Sequence, residues 1–192
     1  FLFLPFSLVL SQDKKINVIV IGAHPDDPDG TAGGTAIKFA ELGHNVLFVS
    51  LTNGDAGHQS KGGGALAKIR RTEAQEAGKR LGVTYRVLDN HDGELLPTLE
   101  VRHQVIRLIR EWKADIVIGP RPYDYHPDHR AVGTAVQDAS YLVTVPLVCP
   151  EVPALRRDPV VATMCDLFTR PNPQRPDVLL DISDEFDVAI QM

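Results

Sequence analysis

A chain of 192 residues has room for one domain with a full core and is too short for two comfortable ones. Its 43% apolar and 23% charged residues are ordinary for a globular protein, and a net charge of -5 argues against a nucleic-acid partner, which would call for a basic face.

Residues 1–10, FLFLPFSLVL, carry no charge and are too few to span a bilayer. They read as the apolar core of a secretory signal peptide, with Val9 and Ser11 as the small residues before a cut. Residues 1–11 are therefore set apart from the fold at 12–192, and export is expected, with a cytoplasmic location as the alternative. Cys149 and Cys165 fit either two free thiols or, after export, one disulfide.

The first strand is expected at 16–22, INVIVIG, because a near-continuous β-branched run implies burial on both faces of a sheet. It stops at His24-Pro-Asp-Asp-Pro-Asp29. A helix is expected over 31–42, with Asp27 or Asp29 available to cap it, and a second buried strand over 45–51. So short a crossover implies parallel pairing. Residues 52–64 hold five glycines and no apolar face, which reads as a functional or mobile loop.

A helix over 65–81, a strand over 84–88, a polar turn at 89–94 and an amphipathic helix over 99–112 follow. A fourth buried strand at 115–119 leads through loop 120–127 to His126-Pro-Asp-His129 and a helix over 128–139. Past Tyr141 prolines interrupt the pattern; 160–168 and 177–182 are expected to be two more strands, and Gln191-Met192 to lie in a beginning helix. Four strand-loop-helix units in succession give an α/β fold, an open and mostly parallel sheet with helices on both faces.

Such a sheet brings loops 23–30, 52–64, 89–95 and 120–127 to one edge, where ligands bind. They carry His24, Asp26, Asp27, Asp29, Asp55, His58, His91, Asp92, His126, Asp128 and His129. Nitrogen and carboxylate donors without cysteine suit zinc or a comparable divalent ion, and two histidines plus a carboxylate is the hydrolytic arrangement. His44, His58, His91 and His103 are expected in solvent or behind the ligands. Competing chemistries fail on residues. Gly22 is followed by Ala-His-Pro-Asp-Asp rather than a G-x-G-x-x-G turn, which would set carboxylates against an anionic cofactor. Neither a Gly-Lys-Ser/Thr loop nor a G-x-S-x-G elbow is present.

Ala23-His-Pro-Asp-Asp27, Thr52-Asn-Gly-Asp-Ala-Gly57, Arg70-Arg-Thr-Glu-Ala74 and His126-Pro-Asp-His129, in that order, resemble the PIG-L/LmbE-like family of metal-dependent de-N-acetylases. The resemblance covers 16–140. It implies a Rossmann-like fold and a zinc- or ferrous-iron-dependent hydrolase that removes the N-acetyl group from an N-acetylglucosamine-type conjugate. By motif position it implies that His24, Asp27 and His129 bind the metal. It further implies that Asp26 takes a proton from metal-bound water, that His126 stabilises the oxyanion, and that Asp128 orients a histidine. Arg70 and Asp92 are then the sugar contacts. The family's Tyr before the second histidine motif has two claimants here, Tyr123 and Tyr125, and Tyr125 is assigned to substrate. Pro28-Asp29 departs from the family, where a Glu often follows the second Asp. The remaining readings are a metallohydrolase of another N-acyl or ester bond, and a non-catalytic sugar- or nucleotide-binding domain.

Overall fold

The structure, a computed structural model, describes residues 14–190, so the expected signal segment at 1–11 lies outside it, as do Gln191 and Met192. Five parallel strands form one sheet: β1 (Asn17–Gly22), β2 (Asn45–Thr52), β3 (Thr84–Asn90), β4 (Ile116–Gly119) and β5 (Val160–Thr163), in the order β3-β2-β1-β4-β5. Helices α1 (Asp27–Glu41), α2 (Gly63–Leu81), α3 (Leu99–Trp112) and α4 (Pro127–Leu142) join them, and α5 (Phe186–Ala189) follows.

The central strands β1 and β2 are buried because both of their faces are used, whereas the edge strand β5 is exposed. In β1 and β2, Val18 pairs with Val46 and Ile19 with Leu47, so each face is continuous across the pair. Ile19, Ile21, Leu47 and Val49 pack with Val105, Ile106 and Ile109 of α3 and Val132 and Val136 of α4. Val18, Val20, Val46 and Phe48 pack on the other side with Ala32, Ala36 and Ile37 of α1 and Ala74 and Leu81 of α2. Helices thus cover both faces, as the sequence predicts.

Strand order then places the site. The chain winds outward from β1 through β2 to β3, then returns to lay β4 on the other side of β1. The gap beyond the carboxyl ends of β1 and β4 is where the order reverses, the position at which open α/β sheets bind ligands. The loop after β1 carries His24 to Asp27, and the loop after β4 carries Asp124 to His129.

The larger departures from expectation are at the start of α1 and beyond β4. Helix α1 begins at Asp27 rather than residue 31, because Pro28 in its first turn already has a helical φ and the Gly30 amide donates to Asp26 O at 2.9 Å. The strand at 160–168 ends at Thr163, and 177–182 is not a strand. Val178, Leu179 and Leu180 stay exposed, so no sheet face buries the apolar run that suggested a strand. Cys149 is buried and Cys165 exposed, and they do not pair.

Candidate active site

Two glycines let the elements approach closely enough to build the site. A Cβ on Gly22, the last residue of β1, would stand 2.6 Å from Asp27 Cβ and 2.8 Å from Pro28. A Cβ on Gly133 of α4 would stand 2.6 Å from the Arg121 carbonyl. Their bare backbones let α1 fold directly over the end of β1 and α4 press on the loop after β4.

Asp27 faces two ways. Its Oδ2 accepts the backbone amides of Ala23 and His24, both at 2.8 Å, so it fastens its own loop instead of capping the helix. Its Oδ1 lies 3.3 Å from His129 Nε2, and Oδ2 lies 3.4 Å from His24 Nδ1. The two ring nitrogens are 3.2 Å apart. Burial opposes charge on Asp27, but hydrogen bonds from His129 and His24 hold the carboxyl well below the usual range.

Each histidine is held from behind. His24 Nε2 lies 3.3 Å from Asp128 Oδ2 and 3.1 Å from Asp92 Oδ1. His129 Nδ1 lies 3.1 Å from Asp124 Oδ2. A carboxylate on one ring nitrogen fixes a proton there; without an ion, His24 Nδ1 and His129 Nε2 donate to Asp27, and on losing those protons they would turn their lone pairs to the space they share with it. Asp128 is fully buried; its Oδ2 also accepts the Gly93 amide at 2.7 Å and its Oδ1 the Leu95 amide at 3.1 Å. Asp124 also accepts the His126 amide at 2.9 Å.

The donor set fits a divalent ion. Ligands about 2.0–2.1 Å from a tetrahedral zinc stand roughly 3.3–3.4 Å from one another; His24 Nδ1 and His129 Nε2 are 3.2 Å apart, and each lies 3.3–3.4 Å from a different oxygen of Asp27, so the three side chains converge at ligand-like distances. His126 offers a donor within 4.8 Å of His24 and His129. Its Nδ1, however, accepts the Asp128 amide at 3.2 Å as the cap of α4, which leaves a neutral ring with its proton on Nε2. Burial and the neighbouring His24 and His129 charges lower its pKa, favouring that neutral form.

Asp26 follows the fastened part of the loop and is 61% exposed; its Oδ2 accepts from Arg70 Nη2 at 2.5 Å. Arg70 also contacts Glu73 of its own helix at 3.2 Å. Asp26 thus stands free of the metal donors yet within 4.8 Å of His24 and Asp27. Around these groups opens a cleft of about 430 Å³, lined by Asp26, Arg70, Asp92, Tyr125, His126 and the metal donors. Of the residues given a role by motif position, all lie on its wall except Asp128, which is sealed behind His24.

Asp29 stands apart from that group. It accepts the Tyr85 hydroxyl at 2.9 Å, and burial pushes its carboxyl up to about 6 against that hydrogen bond. His91 Nδ1 lies 2.7 Å from Asp55 Oδ2, whose other oxygen accepts the Asp92 amide at 3.0 Å. The glycine-rich loop is thus tied to the turn that presents Asp92. His44 and His58 accept backbone amides away from the donors. Asp124 is the residue that sequence reasoning passed over. The signal for it is an acidic residue two positions ahead of the second histidine cluster, in a Tyr-Asp-Tyr loop.

The family described as PIG-L, GlcNAc-PI de-N-acetylase, matches residues 19–140, from within β1 to within α4, including both histidine clusters. The chain belongs to this family. The diacetylchitobiose deacetylase of Thermococcus kodakarensis is 32% identical over 201 residues, 97% of this chain and 74% of that protein. A structure of N,N'-diacetylchitobiose deacetylase from Pyrococcus horikoshii, complexed with its inhibitor MPG, superposes with a TM-score of 0.81 at 29% identity, over 91% of this chain and 67% of that one. A 4-carboxy-2-hydroxymuconate hydratase from Pseudomonas putida also superposes at 0.81, with 24% identity over 93% of this chain and 78% of that one. That last likeness concerns the fold alone. Membership in the PIG-L family makes this chain an amide-hydrolysing enzyme of the deacetylase class.

Proposed function

We propose that the protein is a zinc-dependent hydrolase that removes the N-acetyl group from an N-acetylglucosamine-type sugar conjugate. The observation that carries the reading is that His24 Nδ1 and His129 Nε2 stand 3.2 Å apart, each within 3.4 Å of an Asp27 oxygen and each backed by a second carboxylate. Relatives named as diacetylchitobiose deacetylases support the sugar.

His24, Asp27 and His129 would hold the ion, whose chemistry is Lewis acidity: it would lower the pKa of a water to about 7 and polarise a carbonyl. Asp26 takes the proton of the attacking water, since it is the one carboxylate of the cleft that is both near the donors and largely exposed. Arg70 keeps that carboxylate aimed into the cleft. His126, neutral and protonated on Nε2, donates to the oxygen that becomes negative as the carbonyl turns tetrahedral. Asp92, Tyr125 and Arg70 are left to meet sugar hydroxyls along the same wall.

The test is amine release from N-acetylglucosamine conjugates by the zinc-loaded protein, with metal content measured alongside. Asp26→Asn should keep the ion and lose about 10²–10⁴ in kcat. A His129→Ala protein that retained full metal content and turnover would overturn the assignment.

A further inference from the structure

The polar cleft is not the only space that reaches the metal donors. A second chamber of about 250 Å³ opens on the other side of Asp27, Thr31 and His129, which line both spaces. Its far wall is Pro120 from the end of β4 and Met164, Leu167 and Phe168 from the chain after β5.

That wall is apolar in effect as well as in composition. The charges at its edge are spent on one another: Arg121 forms a two-pronged pair with Asp166 at 2.5 and 2.6 Å, and Asp124 serves His129 and the His126 amide. Met164 and Phe168 are also fixed in place, whereas Leu167 is largely exposed. The Met164 amide donates to Gly119 O at 2.9 Å, the Thr31 hydroxyl approaches Met164 Sδ at 3.0 Å, and Phe168 packs 5.3 Å from the Tyr125 ring. An amide carbon held at the donors would therefore face Arg70, Asp26 and Asp92 on its nitrogen side and this hydrocarbon wall on its acyl side.

We propose that the chamber is an acyl-chain subsite and that the enzyme takes N-acyl amino sugars with chains longer than acetyl. This rests on the reading of the site as an amide hydrolase. An acetyl methyl, about the size of a water at roughly 30 Å³, leaves most of the chamber unfilled. A chain of four to six carbons takes up about half to two thirds of it, each added methylene gaining about fourfold from burial. The chemistry is unchanged. The water oxygen bonds to the acyl carbon, the C–N bond breaks, and its electron pair leaves with the nitrogen, which takes a proton. The carboxylic acid formed has its carboxylate at the donors and its tail in the chamber.

The experiment compares kcat/KM of the zinc-loaded protein on N-acetyl-, N-butyryl- and N-hexanoyl-glucosamine. The hexanoyl compound should exceed the acetyl one by at least about tenfold. A Cys165→Trp substitution on the chamber wall should lower the hexanoyl-to-acetyl ratio at least tenfold. As a readout independent of turnover, calorimetry on the metal-free protein should show hexanoate binding more tightly than acetate, with the difference abolished by Cys165→Trp. Should that variant misfold, alkylthiolation of exposed Cys165 on the folded protein replaces it, since Cys149 is buried. Rates that fall or stay level with chain length overturn the chamber and leave the deacetylase standing. Failure to release amine from any of the three compounds overturns both.

Discussion

His24 Nε2 lies 3.3 Å from Asp128 Oδ2 across 104 residues of chain, and this contact spans the point where the strand order reverses. It turns a surface-loop histidine into a donor of defined tautomer, with Nδ1 committed to the same space as Asp27 and His129. Asp124 does the same for His129 from within the loop after β4. Neither carboxylate would touch the ion, so each acts by positioning. Asp128→Asn and Asp124→Asn should each weaken zinc binding about 10–100-fold, as read by competition with a chromophoric chelator. Asp128→Asn should also cost about 1–3 kcal/mol of stability, because its amide group cannot accept both the Gly93 and Leu95 amides and the His24 proton. Unchanged affinity in both variants would remove the positioning role.

The same contacts set a pH dependence. Burial opposes charge on His24, but Asp27, Asp92 and Asp128 outweigh it and push the pKa up to about 9; His129 is raised against its burial by Asp27 and Asp124. In metal-free protein an ion must therefore displace a proton from His24 at any pH below about 9. Apparent zinc affinity should climb roughly tenfold per pH unit per proton displaced between pH 6 and 9. The folded metal-free protein binds this proton more tightly than the unfolded chain. Its contribution to stability is thus complete below about pH 6.5 and lost as pH rises through about 9. A zinc affinity independent of pH across that range would contradict the assignment of His24 as a ligand.

The four strand-loop-helix units were legible because β-branched runs and αL glycines mark their ends, and Gly82 at φ 69 closes α2 where the pattern places it. Both histidine clusters were legible as motifs at strand ends. What the linear pattern could not reveal was strand order, which depends on which edge of the sheet β4 joins, and with it the fact that the clusters straddle the reversal. Asp124 looked like a loop residue because its partner, His129, lies on the next turn of structure rather than in a recognisable spacing. Val178 to Leu180 read as a strand because apolar content alone cannot show that no neighbouring strand pairs with them.

Asp29 stands where this chain departs from its family, and its chemistry is that of a buried acid. Burial raises its carboxyl to about 6, above the unfolded value of 3.8, even with the Tyr85 hydroxyl donating to it. The folded state therefore prefers the protonated acid. That preference is fully present below about pH 4, and stability falls as pH rises through about 6. Asp29→Asn keeps an acceptor for Tyr85 and removes the charge. It should melt higher than wild type at pH 8, by about 1–3 kcal/mol in stability, and match it near pH 4. A variant less stable than wild type at pH 8 would mean that the charge is worth keeping.

Arg110 is a buried cation with no role in the chemistry, and it holds the chain beyond α4. It is 2% exposed, and its guanidinium donates to six backbone carbonyls, those of Leu142, Val143, Val145, Val148, Cys149 and Val152. The planar five-donor fork reaches acceptors on both sides of the irregular stretch after α4, which no apolar side chain and no single ammonium can do. Because α4 carries Asp128 and His129 in its first turn, the arginine braces the far end of the helix that builds the site. Arg110→Met leaves those carbonyls buried without a donor and should cost at least about 3 kcal/mol in urea unfolding, with Arg110→Lys recovering part of the loss. A methionine variant within about 1 kcal/mol of wild type would mean that water enters and satisfies the carbonyls in its place.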